Sequence, residues 1–145
     1  MKRRKRLTFW SANENDDSLV RNVIAGKKTA TAGVASEYGI PYSEYGDSGY
    51  EIGDIVEAYD LKQRLRCTIE IVDVHKMKFN DIPERVWRGE TFSSAEEFRE
   101  CHIRCMPDYE LHNEFEFMIV HFKLVEAMED PDNTQQATPD NGPIR

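Results

Sequence analysis

The sequence predicts an α+β fold in which a partly closed β-barrel carries two or more flanking helices. Its 145 residues are the ordinary size of one domain, which is large enough to bury a real core. Few helical patterns stand beside several strand patterns. Because helices and strands do not alternate regularly, a parallel βαβ sheet is not indicated.

Residues 1–8 form a basic N-terminal arm, with the run KRRKR at residues 2–6. The residues that follow are too polar for the apolar region of an export signal. Two interpretations remain open for this arm. It is either a disordered, solubilising tail or a segment that contacts nucleic acid through phosphate groups.

The first helix is expected to begin at Asp16 or Asp17, which are favourable N-cap residues, and to end at Gly26. Its apolar residues recur at helical spacing at positions 19, 20, 23 and 24. Residues 33–54 are then rich in glycine and other turn residues. A loop of this length without periodicity is more often functional than incidental.

Three strands and a second helix follow this loop. Ile55–Tyr59 reads as a strand, and residues 65–71 alternate apolar side chains with Arg66, Thr68 and Glu70, which predicts one buried and one polar face. Ser94 and Glu97 fit a capping box at the start of the second helix. Phe115–Val125 is apolar nearly throughout and predicts a central strand.

Composition limits the partners and the cofactors. The net charge is −8 although residues 2–6 are all basic, so the body of the chain is acidic and unsuited to non-specific binding of a phosphate backbone. Three cysteines suggest reduced thiols and a cytoplasmic protein, and no apolar run is long enough to cross a membrane. Cys101, Cys105 and His112 are poorly spaced for zinc, and both cysteines are expected to face the core. We therefore expect no metal and no cofactor.

The densest candidate for chemistry is the hexapeptide GKKTAT at residues 26–31. A lysine shielded from water beside a hydroxyl group can act as a base toward it. A simpler interpretation is that Lys27 and Lys28 interact with the negative end of the helix dipole. In a regular strand Lys28 and Thr31 would face opposite sides, so they converge only if the backbone keeps turning after Gly26.

The hexapeptide resembles the G-x-K-x-x-T motif of the ASCH domain family. The resemblance covers residues 9–125, with further motifs in matching order. These are Phe9-Trp10, Gly53-Asp54, the run FNDIP at 79–83, Arg88-Gly89-Glu90 followed by Ser93-Ser94, Phe98-Arg99 and His102, and the closing strand at 118–122. Arg88 stands where many members have glutamate, and Glu90 is the best match to the acidic residue of the motif.

This resemblance implies a PUA-like barrel, with residues 9–127 as the ASCH domain and residues 128–145 as a flexible tail. Some small members are metal-independent amidohydrolases that deacetylate N4-acetylcytidine. Matched motif by motif, Lys28, Thr31 and Glu90 correspond to their catalytic set. A modified nucleoside or RNA is the expected partner, contacted by Thr29, Tyr45, Trp87, Arg99 and His102.

Two other activities remain open at this stage. The chain is alternatively an RNA-binding module without chemistry, or a ribonuclease. The sequence does not distinguish two roles for Lys28, one as a base and the other as a charged group that holds a phosphate or carbonyl oxygen. Neither the oligomeric state nor the physiological substrate follows from the sequence.

Overall fold

A computed structural model describes residues 4–9, 13–39 and 49–131, and its five strands form one sheet in the order β1-β3-β4-β5-β2. Strand β1 pairs with β3 in parallel, and all other pairs are antiparallel. The sheet curls into half a barrel with three helices, which confirms the predicted α+β fold class. The elements are β1 Lys5–Thr8, α1 Ser18–Ile24, β2 Ala30–Val34, a 3₁₀ turn Ala35–Glu37, β3 Ile55–Tyr59, β4 Leu65–Lys78, α2 Glu84–Gly89, α3 Ala95–Cys105 and β5 Glu116–Ala127.

The long hairpin of β4 and β5 is the centre of the sheet. The two strands stay paired from Lys78 opposite Glu116 to Cys67 opposite Ala127. Irregularities interrupt the register between Thr68 and Ile69, and between Ile71 and Asp73. Because an extra residue in one strand increases the local twist, these bulges help to curl the sheet.

The sheet separates two clusters of buried side chains. The first core cluster lies with α1, and the second lies with α2 and α3. The first contains Phe9, Val20, Val23, Tyr50, Val56, Ala58, Cys67, Ile69, Ile71, Val120 and Phe122. The second contains Ala30, Met77, Phe79, Ile82, Val86, Phe98, Phe117 and Ile119.

The predicted polar face of residues 65–71 is wrong in the first half of this segment. Arg66 and Thr68 are buried, with only 1% and 3% of their surface exposed. Arg66 Nη1 lies 2.8 Å from Asp17 Oδ2 and 3.1 Å from Asp60 Oδ2, so carboxylates replace water around it. A strand can thus bury both faces where its polar side chains have partners.

The predicted helix ends agree with the structure, but the capping partners differ. Gly26 ends α1 with φ +81°. Ser94 Oγ accepts a hydrogen bond from Glu97 N–H, whereas the Glu97 carboxylate accepts from Ser93 N–H rather than from Ser94 N–H. Asp17 occupies the N-cap position of α1 without capping it, because its carboxylate pairs with Arg66 and Arg21.

Two segments of the chain are more ordered than the sequence suggested. Lys5–Thr8, part of the predicted basic arm, is an edge strand, in which Lys5 Nζ lies 2.7 Å from Asp54 Oδ2 and the Arg6 guanidinium lies 4.2 Å from the Tyr59 ring centre. At the other end, Met128 N–H donates to Arg66 O, and Asp130 pairs with Arg21. Residues 132–145 lie outside the described residues.

The remaining polar and thiol groups give three further findings. Burial raises the pKa of the Cys67 thiol to about 11, as expected for a structural cysteine. Burial, with Arg85 and His75 nearby, lowers the pKa of His121 to about 4. Cys105 is exposed, so the expected core-facing orientation is wrong for that residue.

Within the described ranges, no helix is both long and apolar enough to span a bilayer.

Candidate active site

The turn after α1 directs two adjacent lysines to different environments. The N–H groups of Lys27 and Lys28 both donate to Asn22 O, at 2.9 and 3.0 Å, so the backbone keeps turning after Gly26. Lys27 is exposed, whereas Lys28 has only 3% of its surface exposed. A lysine that interacts only with the helix end would remain in solvent, so this interpretation does not account for Lys28.

The ammonium group of Lys28 has few partners for a buried charge. Nζ donates to Ala30 O at 2.7 Å, and Glu90 Oε1 lies 3.5 Å away. It also lies 5.7 Å from the centre of the Phe9 ring, within reach of a cation–π interaction. Because close ion pairs have separations of about 2.7–2.9 Å, the Lys28–Glu90 contact is a loose one.

Glu90 reaches Lys28 from 62 residues away because α2 packs closely on the start of β2. Thr29 N–H donates to Gly89 O at 2.8 Å. A Cβ atom at Gly89 would lie 2.8 Å from Ala30 Cβ, closer than real Cβ contacts, and 3.0 Å from Thr29 Oγ1, which is a tight contact. Because glycine has no side chain, α2 can approach β2 closely at Gly89, and this approach brings Glu90 near Lys28. The sequence contained this glycine, but α2 itself was not predicted.

The backbone fixes Glu90 at the end of α2 in a Schellman motif. Thr91 N–H donates to Arg88 O, and Phe92 N–H donates to Trp87 O. Thr91 has φ +68°, in the left-handed region that usually holds glycine at this position. A β-branched residue is strained there, and such strain is often kept near functional sites.

One oxygen of the Glu90 carboxylate has no hydrogen-bond partner among the described residues. The side chain is 10% exposed, and Oε2 is buried without a hydrogen bond among the described residues. A buried polar atom without a partner costs free energy, because it has lost its hydrogen bonds to water. A ligand that donates to Oε2 would offset that cost.

Thr31 faces the same core cluster as Lys28. It pairs with Val120 across β2 and β5, and residues directly opposite in such a pair share a face. Val120 and Phe9 both belong to the first core cluster, and the Lys28 ammonium lies near the Phe9 ring. The two side chains thus share a face, although no hydrogen bond joins Thr31 to Lys28 within the described part of the chain.

The four described residues predicted to contact a ligand have other partners. Thr29 is exposed, and its backbone bonds to Gly89 and Phe122. Trp87 packs against the second core cluster, with the Arg88 guanidinium 5.0 Å from its ring centre. Tyr45 lies outside the described residues.

Arg99 and His102 serve the packing of α3. Arg99 Nε donates to Phe79 O at 3.1 Å. The His102 ring stacks on Phe98 with centroids 4.0 Å apart, and His102 Nδ1 lies 2.8 Å from Phe98 O. Neither side chain contacts Lys28 or Glu90 within the described residues, so their predicted role in binding has no support from these contacts.

A shallow surface depression shares Phe9 with the surroundings of Lys28, but its lining does not include Lys28, Thr31 or Glu90. Its lining is shared between the start of α1 and the end of β3. Phe9, Asp16, Asp17, Leu19, Val20, Asp60 and Leu61 form this lining. A binding pocket for the modified nucleoside expected as partner therefore stays a prediction.

Known proteins are similar to this chain in family and in fold. The sequence model of the ASCH domain family matches residues 5–126. No curated protein sequence matches the chain significantly.

Solved structures are similar to this chain in fold at low sequence identity. An ASCH domain from Lactobacillus crispatus JV V101 superposes with a TM-score of 0.67 at 18% identity, covering 83% of this chain and 80% of that one. Protein EF3133 from Enterococcus faecalis V583 gives 0.72 at 15% identity, covering 100% and 88%. The ASCH protein from Zymomonas mobilis gives 0.53 at 12% identity, covering 97% and 82%.

Proposed function

Because this chain belongs to the ASCH domain family, we propose that it is a metal-independent amidohydrolase of N4-acetylcytidine or a similar modified nucleoside. ASCH domains are part of the PUA-like superfamily, which contains RNA-binding proteins and hydrolases. In the proposal, Lys28, Thr31 and Glu90 carry the chemistry.

The observation that carries this proposal is the incomplete pairing of two buried charged groups. Lys28 and Glu90 are held 3.5 Å apart, and Glu90 Oε2 has no partner among the described residues. A purely structural ion pair would be expected to close to a shorter distance. The spare hydrogen-bonding capacity suits a substrate that brings both a carbonyl oxygen and an amine.

The proposed reaction breaks the exocyclic C–N bond of the amide. Thr31 Oγ1 attacks the acyl carbon while Lys28 acts as the base that takes the hydroxyl proton. The resulting ammonium group returns a proton to the leaving amine, and Glu90 keeps Lys28 in position. Water then hydrolyses the acyl-threonine ester and releases acetate. In a second version, Lys28 stays charged and stabilises the oxyanion, and another base activates the nucleophile.

The described residues favour this proposal over an RNA-binding module. Lys5 and Arg6, two of the five basic residues in the N-terminal run, are engaged with Asp54 and the Tyr59 ring. The body of the chain is acidic, so an extended phosphate backbone would be repelled. A small neutral nucleoside meets no such repulsion.

The test is release of acetate from N4-acetylcytidine by the purified full chain. We expect turnover by the wild type, loss in Lys28→Ala and Thr31→Ala, and partial recovery in Thr31→Ser, which keeps a hydroxyl group. Lys27→Ala is the matched control, because this neighbouring lysine is exposed. Wild-type protein that leaves the substrate intact would contradict the proposal, and RNA cleavage lost in Lys28→Ala would favour a ribonuclease instead.

A further inference from the structure

A second group of polar side chains lies on the central hairpin and includes none of the catalytic residues proposed above. Asp73 and His75 come from β4, and His121 comes from β5. Their ligand atoms all lie within 4.8 Å of one another. His121 is buried, whereas Asp73 and His75 are half-buried. The group is therefore anchored in the sheet and open on one side.

The bulge in β4 brings these side chains to one face. Ile71 pairs with Phe122 and Asp73 pairs with His121, so Val72 is the extra residue between them. In a regular strand without the bulge, Val72 would lie opposite His121. Asp73 would then point to the other face, because side chains alternate along a strand. Bulges often re-aim a side chain in this way at functional positions.

The two imidazole rings approach each other through their Nε2 atoms. These atoms are 2.9 Å apart, and the ring planes are within 13° of parallel. Two nitrogen ligands at about 2.0–2.1 Å from a tetrahedral Zn²⁺ are about 3.3 Å apart. A widening of about 0.4 Å would therefore let both nitrogens bind one ion.

We infer that Asp73, His75 and His121 form a binding site for a divalent transition-metal ion such as Zn²⁺. Two imidazoles and one carboxylate match the preference of Zn²⁺ for nitrogen and oxygen ligands and are unsuited to Mg²⁺, which prefers oxygen alone. Three protein ligands leave the fourth tetrahedral position to water or to another small ligand. The site would join β4 to β5 beside α2.

Arg85 of α2 competes with a metal for the Asp73 carboxylate. Its Nη2 lies 2.7 Å from Asp73 Oδ2, and both side chains are substantially exposed. The guanidinium occupies one carboxylate oxygen and repels a cation nearby. Removal of this side chain should therefore strengthen metal binding, which gives the inference a test that does not depend on a loss of folding.

The experiment is calorimetric titration of chelator-treated full-length protein, without a polyhistidine tag, with Zn²⁺ and separately with Mg²⁺. We expect one Zn²⁺ per chain and no saturable Mg²⁺ binding. His75→Ala should weaken Zn²⁺ binding by more than about 100-fold, since loss of an outer-shell partner alone costs about 10–100-fold. Arg85→Ala should tighten it by up to about tenfold. The Co²⁺-loaded protein should show the visible absorption of tetrahedral nitrogen and oxygen ligation.

Two controls separate this site from other ligands. His112→Ala removes an exposed histidine and should leave Zn²⁺ affinity unchanged. Cys101→Ser with Cys105→Ser removes the thiols whose Sγ atoms lie 3.9 Å apart and should also have no effect. Absence of stoichiometric binding by the wild type would overturn the inference. Binding that survives His75→Ala or is lost with the cysteines would overturn it as well.

Discussion

Arg66 and Lys28 are both buried cations, but their surroundings differ. Arg66 has carboxylate oxygens of Asp17 and Asp60 at 2.8 and 3.1 Å, with one from Asp130 at 4.0 Å. Lys28 has one carboxylate oxygen within 4 Å in the described ranges, that of Glu90 at 3.5 Å. The side chains of the two cations are 1% and 2% exposed, so burial does not distinguish them.

The difference shows which buried charge is committed to the fold. Arg66 joins α1, the end of β3 and the segment after β5, and its positive charge is matched by more than one carboxylate. Lys28 has a looser carboxylate partner, at 3.5 Å. Unpaired atoms do not distinguish the two groups, because Arg66 Nε and Glu90 Oε2 are both buried without a hydrogen bond among the described residues. Several close carboxylates are typical of a structural ion network, whereas a loosely paired lysine keeps capacity for a ligand.

The largest expected effect is on the free energy of unfolding when Arg66 is replaced by methionine. Arg66→Met leaves the carboxylates of Asp17 and Asp60 close together without their cation. Removal of one partner from a buried pair typically costs about 3–5 kcal/mol. Urea unfolding of both proteins, followed by circular dichroism, measures the difference.

Lys28→Met is the matched comparison for this variant. It removes one short hydrogen bond to a carbonyl and one long carboxylate contact, so we expect a cost of about 1–2 kcal/mol. Equal losses in the two variants would mean that the two cations have the same structural role, and the comparison would then fail.

The next largest effect on stability is expected from acid, which should weaken the Arg66 network. Burial alone would raise the pKa of Asp60, but hydrogen bonds from Arg64 and Arg66 outweigh it and lower this pKa below its usual value. At Asp17 burial likewise favours a higher pKa, but hydrogen bonds from Arg66 and Arg21 outweigh it and lower the pKa. A carboxyl group whose pKa is lower in the folded state stabilises the fold above its unfolded pKa. That contribution is lost as pH falls through the folded pKa.

We therefore expect the urea midpoint to fall as the pH drops below about 4, the ordinary pKa of aspartate. High salt should change this fall only slightly, because a buried network is poorly screened, unlike exposed pairs such as Lys78–Glu114. The dependence should be smaller in Arg66→Met. A midpoint that stays constant down to pH 2.5 would argue against the role assigned to these carboxylates.

A smaller effect on stability is expected at the close contact that positions Glu90. Gly89→Ala places a Cβ atom 2.8 Å from Ala30 Cβ, which forces α2 away from β2. Overpacking of this kind costs about 1–3 kcal/mol. It should also move Glu90 from Lys28 and lower the proposed turnover. Gly33→Ala, where a Cβ meets no atom within 4 Å, is the control for the loss of a glycine. Unchanged unfolding in Gly89→Ala would contradict the packing argument.

The smallest expected effect is a gain in stability at Thr91. Thr91→Gly removes the strain of φ +68° at a β-branched residue, which is worth about 1 kcal/mol. A rise in the urea midpoint with lower turnover would show that the strain helps to hold Glu90. A fall in the midpoint would mean that the threonine side chain contributes more than its strain costs.

Local signals in the sequence were sufficient to predict part of the fold and part of the candidate site. The helix-stopping Gly26, the capping Ser94 and the apolar strand at 115–125 act over a few residues, so their patterns are visible in a short window. The motif resemblance of residues 26–31 pointed to Lys28 and Thr31. The resemblance over residues 9–125 identified the family, and the pattern of helices and strands predicted the fold class; both are confirmed.

The sequence by itself determined where the chain turns after α1 and which hexapeptide holds the buried lysine. Only the tertiary structure decided that Arg66 is buried, that Glu90 reaches Lys28 and that Asp73 faces two histidines. Periodicity and capping depend on neighbours within a turn or two. Lys28 and Glu90, 62 residues apart, meet only when α2 is packed on β2, and Asp73 faces the histidines only when the bulged strands are paired.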